Sequence, residues 1–214
     1  MYLAIEGVIG VGKTTLARLL QEPFNAHLCL EVFEENPFLS DFYGDRARYA
    51  FQTQIFFLLS RYHQQRRDVA EALRAGSVIA DYTFSKDALF ATINLRGDEL
   101  DTYHQVHDAL AEKIVPPDLI VYLRASTEML MQRIAQRDRP YERQMERGYI
   151  AELNHAYDDF FGRSDGAVLR GSSPVLVIDT DPLNFVASPE HLGDIRRRIS
   201  AALGLGPLQP ELPL

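Results

Sequence analysis

Gly7, Gly10, Gly12, Lys13 and Thr14 lie close enough in the chain to hold a run of phosphates. The segment Gly7-Val8-Ile9-Gly10-Val11-Gly12-Lys13-Thr14-Thr15 fits G-x-x-x-x-G-K-[ST]. It follows the apolar run Leu3–Ile5 and opens a stretch with helical apolar spacing, which is the context this motif needs. Glycines let backbone N–H groups curl around phosphate oxygens, and the helix start adds its positive end. Lys13 can reach the β- and γ-phosphates, and Thr14 can offer an oxygen to Mg²⁺. These nine residues are therefore read as an ATP-type triphosphate site. The motif alone does not separate a kinase from a GTPase or a motor.

A second cluster decides between them. Arg133, Arg137 and Arg139 close a helix-like stretch before Pro140, with Glu142 following. Arg133 and Arg137 are four apart and share a helix face. Arginine offers fixed paired donors, and phosphoryl transfer is catalysed by positioning and charge neutralisation. All three are expected to act on the transferring group as a lid over about residues 137–147. No N-K-x-D for reading guanine occurs. A small-molecule kinase follows.

The elements that would position these groups alternate. Strand-like runs are Leu3–Ile5, His27–Val32, Val78–Ala80, Leu119–Leu123 and Val175–Ile178. Helix-like stretches are Thr14–Gln21, Ala47–Ala75, Glu99–Ile114, Thr127–Gln136, Arg147–Phe161 and Glu190–Leu203. Alternation of this kind predicts an α/β fold, a parallel sheet covered on both faces with right-handed crossovers. On the longest helix Phe51, Ile55, Leu58, Leu59 and Tyr62 form one apolar stripe. Gln54 and Arg61, seven apart, lie nearly in line on it. Gly76 is expected to end it with a positive φ.

Composition narrows the partners. The 22 basic and 30 acidic residues give a net charge of −8, which disfavours a phosphate backbone and hence nucleic acid. One cysteine, Cys29, permits no disulfide within the chain and fits a reducing compartment. No signal peptide is visible and no apolar run approaches the length of a membrane span, so a cytoplasmic protein without membrane association is expected. His27, His63, His104, His107, His155 and His191 show no metal-ligand spacing and are read as surface residues.

In order along the chain stand Ile5-Glu6-Gly7…Gly12-Lys13-Thr14-Thr15, Glu31-Val32-Phe33-Glu34-Glu35-Asn36-Pro37-Phe38-Leu39, Gln54…Ser60-Arg61, Asp81-Tyr82-Thr83 and Arg133-x-x-x-Arg137-x-Arg139-x-x-Glu142. In this order they resemble the deoxynucleoside kinase family, especially its bacterial deoxyadenosine/deoxyguanosine kinase branch, from Met1 to about Ala201. The resemblance implies a three-layer P-loop kinase domain over 1–204 with a five-stranded parallel sheet, an arginine-rich lid and a loose tail over 205–214. It implies transfer of the ATP γ-phosphoryl group to the 5′-hydroxyl of a purine 2′-deoxynucleoside, with Mg²⁺, in a homodimer or a heterodimer with a related chain.

The same resemblance distributes roles. Glu31 would accept the proton of the 5′-hydroxyl, with Glu34 and Glu35 as acids favoured at a helix start. Arg61 would hold the 5′-oxygen and Glu31. Gln54 would read the base, and Tyr43 and Glu142 would hold the sugar 3′-hydroxyl. Asp81 would help place Mg²⁺ with Thr14. Counting from Asp81 makes Asp87 the base-recognising acid, whereas counting back from Phe90-Ala91 points to Lys86. Of Phe33, Phe51, Phe56, Phe57, Phe84 and Phe90, Phe90 is expected in the pocket. Tyr82 stands where the family commonly has an arginine, which leaves the charge work to Lys13, Arg61 and the lid. Two rivals remain: a nucleoside monophosphate kinase, and a nucleotide-binding partner subunit without turnover.

Overall fold

In the computed structural model, residues 1–32, 35–143, 145–162 and 173–206 are described. Expectations on Phe33, Glu34 and the tail beyond residue 206 lie outside them. Strands β1 (Tyr2–Gly7), β2 (Ala26–Cys29), β3 (Ser77–Ala80), β4 (Leu119–Arg124) and β5 (Val175–Asp179) form a parallel sheet in the order β2-β3-β1-β4-β5. All six residues of β1 are buried, as a strand covered on both faces requires. From β1 the chain runs to β2 and β3 on one side, then to β4 and β5 on the other. The crevice beyond the carboxyl end of β1 is the switch point where α/β sheets hold ligands.

The helices are α1 (Lys13–Gln21), α2 (Leu39–Gly44), α3 (Arg46–Gln64), α4 (Ala70–Ala75), α5 (Lys86–Asn94), α6 (Gly97–Ala111), α7 (Thr127–Arg137), α8 (Arg147–Phe160) and α9 (Pro189–Ala202). Leu16, Ala17 and Leu20 turn α1 onto the sheet. Side-chain oxygens cap several starts: Asp45 accepts from the Arg48 N–H, Ser126 from Met129 and Ser188 from His191. On the far face Tyr122, Tyr157 and Phe161 pack ring against ring at 5.6–6.1 Å.

Four expectations need correction. Strand β2 stops at Cys29 rather than Val32. It is an edge strand, and its one partner β3 ends opposite it at Ala80, so no ladder remains beyond. The long helix is not one α-helix over 47–75. A π turn, Gln65–Val69, separates α3 from α4, and there the Gln65 amide pairs with the Tyr2 hydroxyl at 3.0 Å. Gly76 follows α4 with φ 165°, an extended conformation rather than a positive-φ cap. His107 is buried, not at the surface, stacked on Phe84 at 5.1 Å. Helices α2 and α5 were not expected from the sequence; the six residues of α2 are too few to show a helical period.

Glu6 ties the crevice floor together. Its carboxylate is fully buried in β1 and accepts from the backbone and hydroxyl of Thr83, from the Gly7 N–H at 3.2 Å and from the Tyr157 hydroxyl at 3.2 Å. Strand β1, the loop after β3 and α8 thus meet on one anion. Hydrogen bonds to a buried charge are strong, and donors stripped of it stay desolvated. Glu6→Ala is predicted to lower the unfolding free energy by about 3 kcal/mol or more. Urea titration checks this, and a loss under about 1 kcal/mol would show the anion to be dispensable.

Candidate active site

An open cavity lies over the carboxyl end of β1. Gly7, Gly10, Lys13 and Thr14 form one end, and aromatic rings including Phe57, Phe90 and Tyr149 form the other. Glu31, Asp81 and Arg61 lie in the lining between them.

The phosphate end depends on close approach of backbone. Gly7 has φ 146°, and a Cβ there would sit 2.4 Å from the Leu123 carbonyl oxygen. Only glycine lets β1 turn into the loop at that distance. The Lys13 ammonium donates to the carbonyls of its own loop, Gly7 at 2.7 Å and Val8 at 3.3 Å. Burial pushes the Lys13 ammonium down to about 8, and the neighbouring positive charge of Lys86 adds to the shift.

Asp81 joins two parts of the site. It follows β3, and its Oδ2 accepts from the Thr14 hydroxyl on α1. Its Oδ1 accepts from the Glu31 N–H at 2.7 Å. The loop after β2 therefore has no ladder but is held by a carboxylate from the neighbouring strand. Thr14 and Asp81 together present two hard oxygen donors beside the P-loop, the donor type that Mg²⁺ accepts. Among the described residues no group of three or more His, Cys, Asp or Glu side chains gathers as an all-protein metal cage.

Glu31 has cations on both oxygens. Arg61 donates to Oε1 through Nε at 2.8 Å and through Nη2. Lys86 donates to Oε2 at 2.7 Å. Burial alone raises the Glu31 carboxyl, but Arg61 and Lys86 outweigh it and hold the group well below the usual carboxylate range. Glu31 is thus ionised at neutral pH and within reach of the cavity. Lys86, the first residue of α5, is the functional candidate that charge reasoning from sequence missed. The count back from Phe90 had pointed to it, but as a base reader.

Tyr43, Gln54, Phe90 and Glu142 all line the cavity, as the sequence predicts. Gln54 is 2% exposed, and beside it the buried hydroxyl of Thr53 has no hydrogen-bond partner among the described residues. Both are polar groups that a ligand's base edge could satisfy. In the lid, Arg137 grips both oxygens of Glu142, at 2.6 and 3.1 Å, and Arg139 approaches at 3.8 Å. Phe57 joins Phe90 in the lining, under the Arg61 guanidinium at 4.6 Å. Phe84 stacks on His107 instead.

Two expected site residues lie elsewhere. Asp87 is fully buried and pairs with Nη1 of Arg61, so it stands behind that arginine and does not line the cavity. Arg133 does not face the cavity either. Its guanidinium donates to the Val11 carbonyl at 3.2 Å and to the hydroxyl and carbonyl of Thr180, each at 3.0 Å. Three acceptors on the loops after β1 and β5 outcompete a position in the lid. Arg133 instead lines a second cavity with Gly10, Gly12, Thr15 and Phe185, on the other flank of the P-loop.

Comparison with known proteins agrees with this geometry. Residues 3–203 match the family model described as deoxynucleoside kinase. The chain is 35% identical over 189 residues to deoxyguanosine kinase of Bacillus subtilis (strain 168), covering 86% of this chain and 89% of that one. It is 30% identical over 203 residues to deoxyadenosine/deoxycytidine kinase of the same organism, covering 90% and 89%. The structure of deoxyadenosine kinase from M. mycoides with bound dATP matches at a TM-score of 0.78 and 25% identity, over 94% of this chain and 99% of that one. A P-loop at the switch point, an ionised carboxylate facing it and a family match over residues 3–203 lead to one conclusion: the chain is a phosphotransferase that belongs to the deoxynucleoside kinase family.

Proposed function

We propose that the protein transfers the γ-phosphoryl group of ATP to the 5′-hydroxyl of a purine 2′-deoxynucleoside, with Glu31 as proton acceptor. The observation that carries this reading is Glu31 itself: an ionised carboxylate in one cavity with the P-loop lysine and a wall of aromatic rings. The purine preference draws on the relatives named deoxyguanosine and deoxyadenosine kinase.

The step follows from the placement. The deoxynucleoside ring stacks among Phe57, Phe90 and their neighbours, with Gln54 at the base edge. Tyr43 and Glu142 hold the sugar 3′-hydroxyl, and losing those contacts would leave buried polar groups unpaired. The 5′-hydroxyl then meets Glu31, which takes its proton as the O5′–P bond forms. The bond from the γ-phosphorus to its bridging oxygen breaks, and the electron pair leaves with ADP. Lys13, Arg137 and Arg139 neutralise the charge on the moving group. Thr14 and Asp81 would hold Mg²⁺, which supplies charge neutralisation across the β- and γ-phosphates when bound.

Two predictions follow from these assignments. ADP release with ATP and magnesium is expected on deoxyadenosine or deoxyguanosine, and Glu31→Gln is expected to lower kcat by about 10²–10⁴-fold. Turnover confined to dTMP or dAMP would overturn the acceptor, and full activity of Glu31→Gln would remove the base. The second concerns pH. Below about pH 8 the Lys13 ammonium is charged in the empty site, and above it the neutral amine prevails. Phosphate favours the ammonium, so its pKa rises on binding. ATP binding with chelator present should therefore take up a proton near pH 8 and weaken as pH rises further. Calorimetry in buffers of different ionisation enthalpy measures that uptake, and none at pH 8 would contradict the assignment.

A further inference from the structure

Phosphoryl transfer concentrates negative charge on a few oxygens, so the number of cations within reach of them matters. The residue after Asp81 supplies none. It is Tyr82, whose ring is buried with Tyr2, Cys29, Val69, Val78 and Ala80 in a separate part of the core. Four residues further on, at the start of α5, Lys86 is in the cavity lining.

Neither stability nor packing explains a lysine there. Lys86 is 3% exposed, and lysine is among the residues least often buried. It is the first residue of α5, where the helix dipole disfavours a cation. An ammonium has three donor hydrogens. The hydrogen bond it makes among the described residues is to Oε2 of Glu31, at 2.7 Å. The Tyr82 ring lies 5.8 Å away on another side.

Arg61 differs in one decisive respect. It is fixed from three directions, by Glu31, by the buried Asp87 and by the ring of Phe57. A planar fork held in this way cannot leave without stranding Asp87 as an unpaired buried charge. Lys86 is a point charge on a four-carbon stem with one anchor. When an acceptor hydroxyl arrives at Glu31, an oxygen must be vacated for its proton, and Lys86 is the cation that can vacate one.

We propose that Lys86 is a catalytic cation that changes partners: it holds Oε2 of Glu31 while the site is empty, and passes to the transferring phosphoryl group when the acceptor hydroxyl takes that oxygen. This rests on the phosphoryl transfer proposed above. The proton of the hydroxyl goes to Oε2, the new O–P bond forms, and the bond to the leaving ADP breaks with its electron pair. Lys86 keeps its own proton throughout and acts through charge. The exchange removes a cation from Glu31, which makes it a better base, and delivers that charge where it is needed.

The test compares the wild type with Lys86→Met, Lys86→Gln and Lys86→Arg. The glutamine variant keeps a donor for Glu31 without the charge, and serves if the methionine variant fails to fold. The neutral variants should lose about 10²–10³-fold in kcat, with the deoxynucleoside KM changed by less than about threefold, and arginine should restore part of the loss. Calorimetry then measures ADP with and without aluminium fluoride, whose planar form imitates the moving phosphoryl group. The neutral variants should bind ADP as the wild type does and bind the ADP–fluoroaluminate about tenfold or more weakly. Retained kcat, a loss lying wholly in KM, or equal weakening of ADP and its fluoroaluminate would each overturn the role of Lys86. A wild type silent on every deoxynucleoside would overturn the proposed function instead, while the fluoroaluminate titration would still decide the question of Lys86.

Discussion

An ionised carboxylate that is mostly buried must be matched by positive charge, or it takes up a proton and stops being a useful base. Glu31 poses that problem, and much of the structure around it is the answer. Arg61 reaches it from α3 and Lys86 from α5. Asp87 then has to be buried behind Arg61, because a guanidinium gripping one carboxylate needs its remaining donors satisfied. The backbone under Glu31 has no strand partner, so Asp81 holds it from the neighbouring strand. The docking of α3 against α5 is in this sense a consequence of the charge at its end.

The same constraint organises the opposite end in reverse. There the charge to be held is the Lys13 ammonium, which burial and the neighbouring positive charge of Lys86 make costlier to keep. Lys13 turns back onto the carbonyls of its own loop. Arg137 is likewise occupied by Glu142. Both arrangements hold cations near the place where phosphates would lie, in contacts that a phosphate can replace. Glu6 beneath them belongs to the scaffold: its acceptors are committed to Thr83, Gly7 and Tyr157.

How much of this was legible from sequence depends on the range of the interaction. The P-loop is contiguous, so residue types and spacing suffice. The sheet was legible too, since a strand buried on both faces is mostly apolar, as β1 is apart from Glu6 and β4 is up to Leu123. That Gln54 and Arg61 lie in line on one helix followed from helix geometry, and that this line faces a substrate was what the family resemblance implied; both line the cavity. What failed was competition between partners. Arg133 and Arg137 do share a helix register, yet the first meets carbonyls of two loops and the second a carboxylate in the lid. No local pattern reveals which acceptor is nearer. Strand β2 was drawn too long for a similar reason, because its end is set by the length of β3 and not by its own residues.

Lys86 shows the limit most clearly. In sequence it is one lysine at a helix start, beside an aspartate the family pattern singles out. Counting residues treated Lys86 and Asp87 as alternatives for a single role. In the structure neighbours on a helix point about 100° apart, and these two part ways. Asp87 turns inward to Arg61, and Lys86 turns to Glu31. Both counts sought a base reader, whereas one residue holds Glu31 directly and the other stands behind Arg61. Tyr82 is packed into the core and brings no charge to the site, whereas Lys86, four residues on, reaches Glu31 from the start of α5.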